Sequence, residues 1–291
     1  MNKFFLFKFY ILVISIFGSL SSCKSSIESQ RSKKILVTHH LVQDFIFWIS
    51  DNEYDVVPIY KQDNDPFREN PNPLIENDFI SFVTMCQKWE TKAVRVANEK
   101  RPKSFISMND PRIDIDCSFG SPWLHGAYLS EYLYETASFL SRINPGKTED
   151  YFKKAEVFSE EINDFTIQMR VVKTPELKLP QGLRVAIYSS FGYELLGYMG
   201  LAPYIKIATL PSDLVFPEDI ALLAEDDFPP DLIIFTNYAD PEIIKIFEDN
   251  GFGIATIKLF PSDFGENVSP IDFIKRNYEI IRTAMLNLSD F

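Results

Sequence analysis

Two series of short aliphatic and β-branched runs, separated by a stretch almost without Gly or Pro, dominate this 291-residue sequence. The first series occupies positions 33–38, 56–60, 79–84 and 104–108; the second occupies 184–188, 204–208, 232–236 and 253–259. Runs of five to seven such residues bounded by polar or turn-forming sequence read as buried strands. Between them lie helix-like segments, of which 41–49 is the first. Strands alternating with helices imply right-handed βαβ units and parallel sheets. The chain is therefore expected to be α/β, with two similar parallel-sheet lobes.

The stretch between the two series, 127–172, is interrupted only at Asn144-Pro145-Gly146. Its second part carries Tyr151, Phe152, Ala155, Phe158, Ile162 and Phe165 at spacings of three or four, behind a start at Thr148. That pattern predicts one helix of about 25 residues, roughly 37 Å long at 1.5 Å per residue. A helix of that length suits a rigid spine between lobes, and equally a surface helix of one large domain. The expected division is a leader at 1–22, a tether at 23–32, lobes at 33–145 and 178–291, and the connecting helix within 146–177.

The leader has Lys3 and Lys8 around an apolar run from 9 to 17, followed by small residues up to Cys23. This is the pattern of a secretory signal, too short for a comfortable membrane span. Leu20-Ser21-Ser22-Cys23 looks like a bacterial lipobox, which predicts cleavage before Cys23 and lipid on that residue; a plain signal or an uncleaved anchor is the alternative. The Ser-rich segment 24–32 then reads as a flexible tether. Either way the globular part is expected outside the cytoplasm, on a bacterial membrane. Loss of Lys3 and Lys8 leaves 27 basic against 41 acidic residues, a net charge of −14. With no basic cluster to neutralise phosphates, a nucleic-acid partner is excluded.

Four ordered stretches resemble the solute-binding lipoproteins of bacterial ABC importers for zinc and manganese. Asp65-Pro66-Phe67 with Pro71-Asn72-Pro73 is similar to the family's Asp-Pro-His loop and the Pro-x-Pro after it. Ser121-Pro122-Trp123-Leu124 is similar to His-x-Trp-Leu, Tyr188 to Tyr193 to His-x-Ala-Phe-x-Tyr, and Ile234-Phe235-Thr236-Asn237 to a strand ending in a carboxylate. The resemblance runs from about residue 33 to the end. It implies two βαβ lobes joined by one long helix, with metal cargo held in the cleft and delivered to a membrane permease by a monomer.

Carried over position by position, the family's metal ligands fall on Phe67, Ser121, Tyr188 and Asn237. None is an ordinary ligand for Zn²⁺, which takes imidazole, thiolate or carboxylate. The three His of the chain are His39, His40 and His125. His39 and His40 follow the first strand, at the carboxyl end where parallel sheets bind ligands, and Cys86 and Cys117 are expected on the same rim. A relocated site of His39, His40, Cys86 and Cys117 is one reading. Against it, His39 can cap the helix, His125 reads as a first-turn helix residue, and the two Cys can pair as a disulfide or stay buried as thiols.

Phe67, Trp123, Tyr188, Tyr193 and Tyr238 suggest a third possibility, an aromatic cleft for an organic or chelated cargo. An adhesion or interaction lipoprotein is a fourth. No nucleophile elbow, HExxH, P-loop or dinucleotide fingerprint occurs. Asp114-Ile115-Asp116 offers two carboxylates on one side of an extended segment, a pattern far commoner in solvated loops than in catalysis. The chain is expected not to be an enzyme.

Overall fold

The computed structural model describes residues 34–60, 79–85, 90–99, 105–108, 121–171, 183–265 and 268–289. Cys23, Phe67, Cys86, Cys117, Asp114 and Asp116 lie outside the described residues.

Eight strands form two four-stranded parallel sheets. The first contains β1 (Lys34–Val37), β2 (Asp55–Pro58), β3 (Ser81–Thr84) and β4 (Phe105–Ser107), in the order β2-β1-β3-β4. The second contains β5 (Val185–Ile187), β6 (Ile205–Lys206), β7 (Leu232–Thr236) and β8 (Gly253–Ile257), in the order β6-β5-β7-β8. Each sheet thus has the same order of strands, and the expectation of two similar lobes holds. β1, β3 and β7 are near-continuous apolar runs because helices cover both faces of a parallel sheet.

In the first half, α1 (His40–Ser50) follows β1, α2 (Thr91–Glu99) precedes β4, and α3 (Gly126–Ile143) leads to a short 3₁₀ turn, Pro145–Lys147. The long helix α4 spans Thr148–Val171, 24 residues, in agreement with the spacing of its apolar positions. The second half adds α5 (Tyr193–Met199), α6 (Pro217–Ala224), α7 (Pro241–Asp249) and a C-terminal α8 (Pro270–Ser289). Among the described residues no helix is long and apolar enough to cross a membrane.

The start of α4 is tied to the first lobe through Glu53. This carboxylate accepts from Tyr151 Oη at 2.9 Å, Lys147 Nζ at 2.9 Å and Asn144 Nδ2 at 3.3 Å. Tyr151, Ala155 and Ile162 of α4 belong to one apolar core with Leu41, Phe45 and Ile49 of α1, Leu133 and Leu140 of α3, and Ile274 and Ile281 of α8. The spine therefore packs on helices from both halves, and the core is continuous across them.

Candidate functional site

The strands' carboxyl ends bring β1, β5, β7 and β8 toward one another between the lobes, where parallel sheets place ligands. The centre of that region is filled by a side chain that no motif marked. Phe260, just beyond β8, is 3% exposed. Its ring lies 5.3 Å from the His39 imidazole, 6.1 Å from the Trp123 indole in a stacked arrangement, and 5.5 Å from Tyr238, edge to face. His39 and Trp123 belong to the first half of the chain; Phe260 and Tyr238 belong to the second. Trp123 Nε1 also donates to the Leu259 carbonyl at 2.7 Å, so the indole grips the second lobe by an edge as well as a face.

Three of the positions at which the resemblance places metal ligands are described, and each is spent on the protein itself. Ser121, fully buried, donates from its backbone N and its Oγ to Glu194 Oε2 of α5, at 3.3 and 3.2 Å, and its Oγ accepts from Gly192 N at 2.8 Å. Gly192 has φ +102°, a backbone conformation that favours glycine, and a Cβ there would also press on Ile257 Cδ1 at 2.7 Å. Burial pushes the Glu194 carboxyl above the usual range, against the lowering effect of its backbone and Ser121 hydrogen bonds.

Tyr188 turns into the second lobe's own core. Its ring stacks on Phe235 at 4.7 Å and meets Phe247 edge to face, and its hydroxyl donates to the Asp213 carbonyl. The expectation of Tyr188 as a cleft wall is corrected: between Phe235 of β7 and Phe247 of α7, its ring gains more by packing inward. Tyr193 is the first residue of α5 and is 54% exposed. Trp123 and Tyr238 do face the interlobe region.

Asn237 ties strand ends together. Its Oδ1 accepts from Leu259 N at 3.0 Å, and its side chain also bonds to Asp263. Asp263 accepts from Tyr238 Oη at 3.1 Å and Phe260 N at 2.9 Å. Burial raises the Asp263 carboxyl, with these hydrogen bonds and nearby Lys258 pulling the other way.

The adjacent His39 and His40 diverge. His39 is 1% exposed, caps α1 by accepting at Nδ1 from Leu41 N at 3.3 Å, and points Nε2 at Glu90 Oε1, 3.2 Å away. The capping reading of His39 is what the structure shows. His40 lies on the outer side of α1, its Nδ1 2.7 Å from Gln43 Oε1. His39 and His40 thus have different partners, one across the sheet ends and one on its own helix. His125 precedes α3, with its ring 4.9 Å from Tyr128.

Glu90 was not singled out from the sequence, because no motif surrounds it. It is fully buried and accepts from the Thr38 and Thr84 hydroxyls, the latter at 2.9 Å, and from Met85 N at 3.3 Å. Its charge and burial together push the Tyr60 hydroxyl up to about 12, burial being the larger cause. Glu90 and His39 thus form a nitrogen and oxygen pair at the end of β1 and β3. Among the described residues, no group of three or more His, Cys, Asp or Glu is placed to hold a metal ion.

No family model matches the chain, and no curated protein matches it. Solved structures do. FpvC, a solute-binding protein from Pseudomonas aeruginosa in complex with Mn²⁺, superposes with a TM-score of 0.70 at 15% identity, covering 89% of this chain and 99% of that one. The same protein with Ni²⁺ gives 0.68 at 16% identity, covering 89% and 98%. The Mn-bound periplasmic metal binding protein of Candidatus Liberibacter asiaticus gives 0.67 at 11% identity, covering 86% and 99%. At such identities the likeness is one of fold: this chain has the two-lobed architecture of periplasmic metal-binding solute-binding proteins.

Proposed function

We propose that this chain is an extracytoplasmic solute-binding lipoprotein of an ABC importer, held to the membrane by lipid on Cys23, and that its cargo is an organic molecule or a chelated metal rather than a bare ion. The fold supports a receptor that hands cargo to a permease, although fold alone does not fix function. The cargo class rests on one observation, the Phe260 ring seated among His39, Trp123 and Tyr238. Aromatic and phenolic groups between two lobes suit an organic surface better than a bare ion. A bare Zn²⁺ or Mn²⁺ needs several imidazole or carboxylate donors in one place, whereas Ser121 and Asn237 are engaged in holding the lobes and strand ends.

A second reading keeps metal as the cargo. It is favoured by the 3.2 Å approach of His39 Nε2 to Glu90 Oε1, a mixed donor pair to which Cys86 and Cys117 would add thiolates. His40 would take no part. Elemental analysis of the purified full chain, with titration by Zn²⁺ and Mn²⁺, separates the two. The first reading expects no saturable uptake of either free ion; one equivalent taken up from the free ion, and lost on His39→Ala, supports the second.

A further inference from the structure

A second concave site lies on the outer side of α1. Positions 40, 43, 44, 47, 48 and 51 recur at spacings of three and one, which places them on one face of that helix. They face the turn Pro261–Phe264, Val268 and Ser269 of the second lobe, with Phe158 of α4 at one side. The groove between them has a volume of about 580 Å³, within the range of small-molecule sites. Trp48 is fixed in its wall, because Nε1 donates to the Val268 carbonyl at 2.8 Å. Phe45 packs against the same indole from the core side in a tilted arrangement, with centroids 5.6 Å apart.

The charge of this groove is one-sided. Asp44 of α1 and Asp51, the residue that caps its carboxyl end, line it, and no Lys or Arg does. Asp51 is engaged at one end by Lys154. Asp44 is placed differently: its carboxylate accepts from the Ser262 backbone, and its Oδ2 is buried with no hydrogen-bond partner among the described residues. A buried carboxylate oxygen without a donor is costly, and α1 offers it none.

We propose that this groove binds a small organic cation, its ammonium on Asp44 Oδ2 and its apolar body against Trp48, Phe47 and Phe158. The ammonium supplies the missing donors, and its charge is the complement of the groove. The aromatic wall adds hydrophobic area and cation–π attraction. The site is separate from the Phe260 region, so it stands whether or not the interlobe cleft carries the transported cargo.

Titration of the full chain in non-ionic detergent at pH 8.5 with phenethylammonium, followed by calorimetry, tests the proposal, with uncharged 2-phenylethanol as the matched control. The expected result is saturable binding with Kd below about 1 mM, at least about tenfold weaker for Asp44→Asn and for the alcohol, as loss of a desolvated charge pair implies. Equal binding of amine and alcohol, unchanged binding by Asp44→Asn, or no saturation by 10 mM amine, a ceiling roughly tenfold above that limit, overturns it. The comparison of amine with alcohol is made on the unaltered chain and so does not depend on the variant folding.

Discussion

Phe260 and His39, ring centroids 5.3 Å apart, join the end of β8 to the end of β1 at the point where the two sheets approach each other. Both are almost fully buried. The contact makes the interlobe region part of the core, which ties ligand access to stability. Three of the predictions below concern this packing and the buried carboxylates near it; the fourth concerns Cys23.

Phe260→Ala removes a ring surrounded by His39, Trp123 and Tyr238 and leaves a cavity between the lobes. The expected cost is about 3–5 kcal/mol in urea unfolding. A loss below about 1 kcal/mol would mean that the lobes close without the ring.

Ser121→Ala strips the Oγ donor from the buried Glu194 carboxylate, leaving the backbone N–H donor, and removes the acceptor from Gly192 N. The expected destabilisation is about 1–3 kcal/mol. Glu194 is already raised by burial, so the folded state holds its proton more tightly than the unfolded state. Its contribution to stability is present below the unfolded value of 4.5 and falls as pH rises toward the folded value. Ser121→Ala extends that fall to higher pH, and Glu194→Gln abolishes it. Chemical denaturation across pH 4–8 reads both effects.

Burial pushes Asp44 up to about 8, with the Ser262 backbone hydrogen bond opposing and Asp263 adding to the rise. The unfolded carboxyl ionises near 3.8, so between about 4 and about 8 the folded chain binds the extra proton and stability declines with pH. Asp44→Asn removes the decline and is expected to be more stable than the unaltered chain at pH 9 by more than about 1 kcal/mol. Parallel pH–stability curves for the two would show that Asp44 is solvated rather than buried.

Cys23→Ser is expected to yield a form that no longer labels with palmitate or partitions into detergent. Retained label would place the anchor on another residue.

The strands and α4 are legible in the sequence because periodicity alone specifies them. Thr148 and the spacing Tyr151, Ala155, Phe158, Ile162 fix a helix whatever it packs on. The site is less legible because its contacts join distant positions. Trp123 meets Leu259, and Trp48 meets Val268, 136 and 220 residues apart, with nothing local to announce either pairing. Asn237 reads as a failed metal ligand in sequence, whereas its amide is what seats Leu259 at the end of β8. Glu90 has no flanking motif, and its partners Thr38 and Thr84 look like ordinary strand ends. Asp44 sits in an apolar helical run where one acid is expected to face solvent.

The central claim is that the interlobe cleft takes organic or chelated cargo and not a bare ion. Elemental analysis and isothermal titration of the purified full chain with Zn²⁺ and with Mn²⁺ test it most directly. The account predicts no saturable heat with either free ion and no gain of metal over the starting content; one added equivalent of either ion retained through dialysis, and lost in His39→Ala, would contradict it.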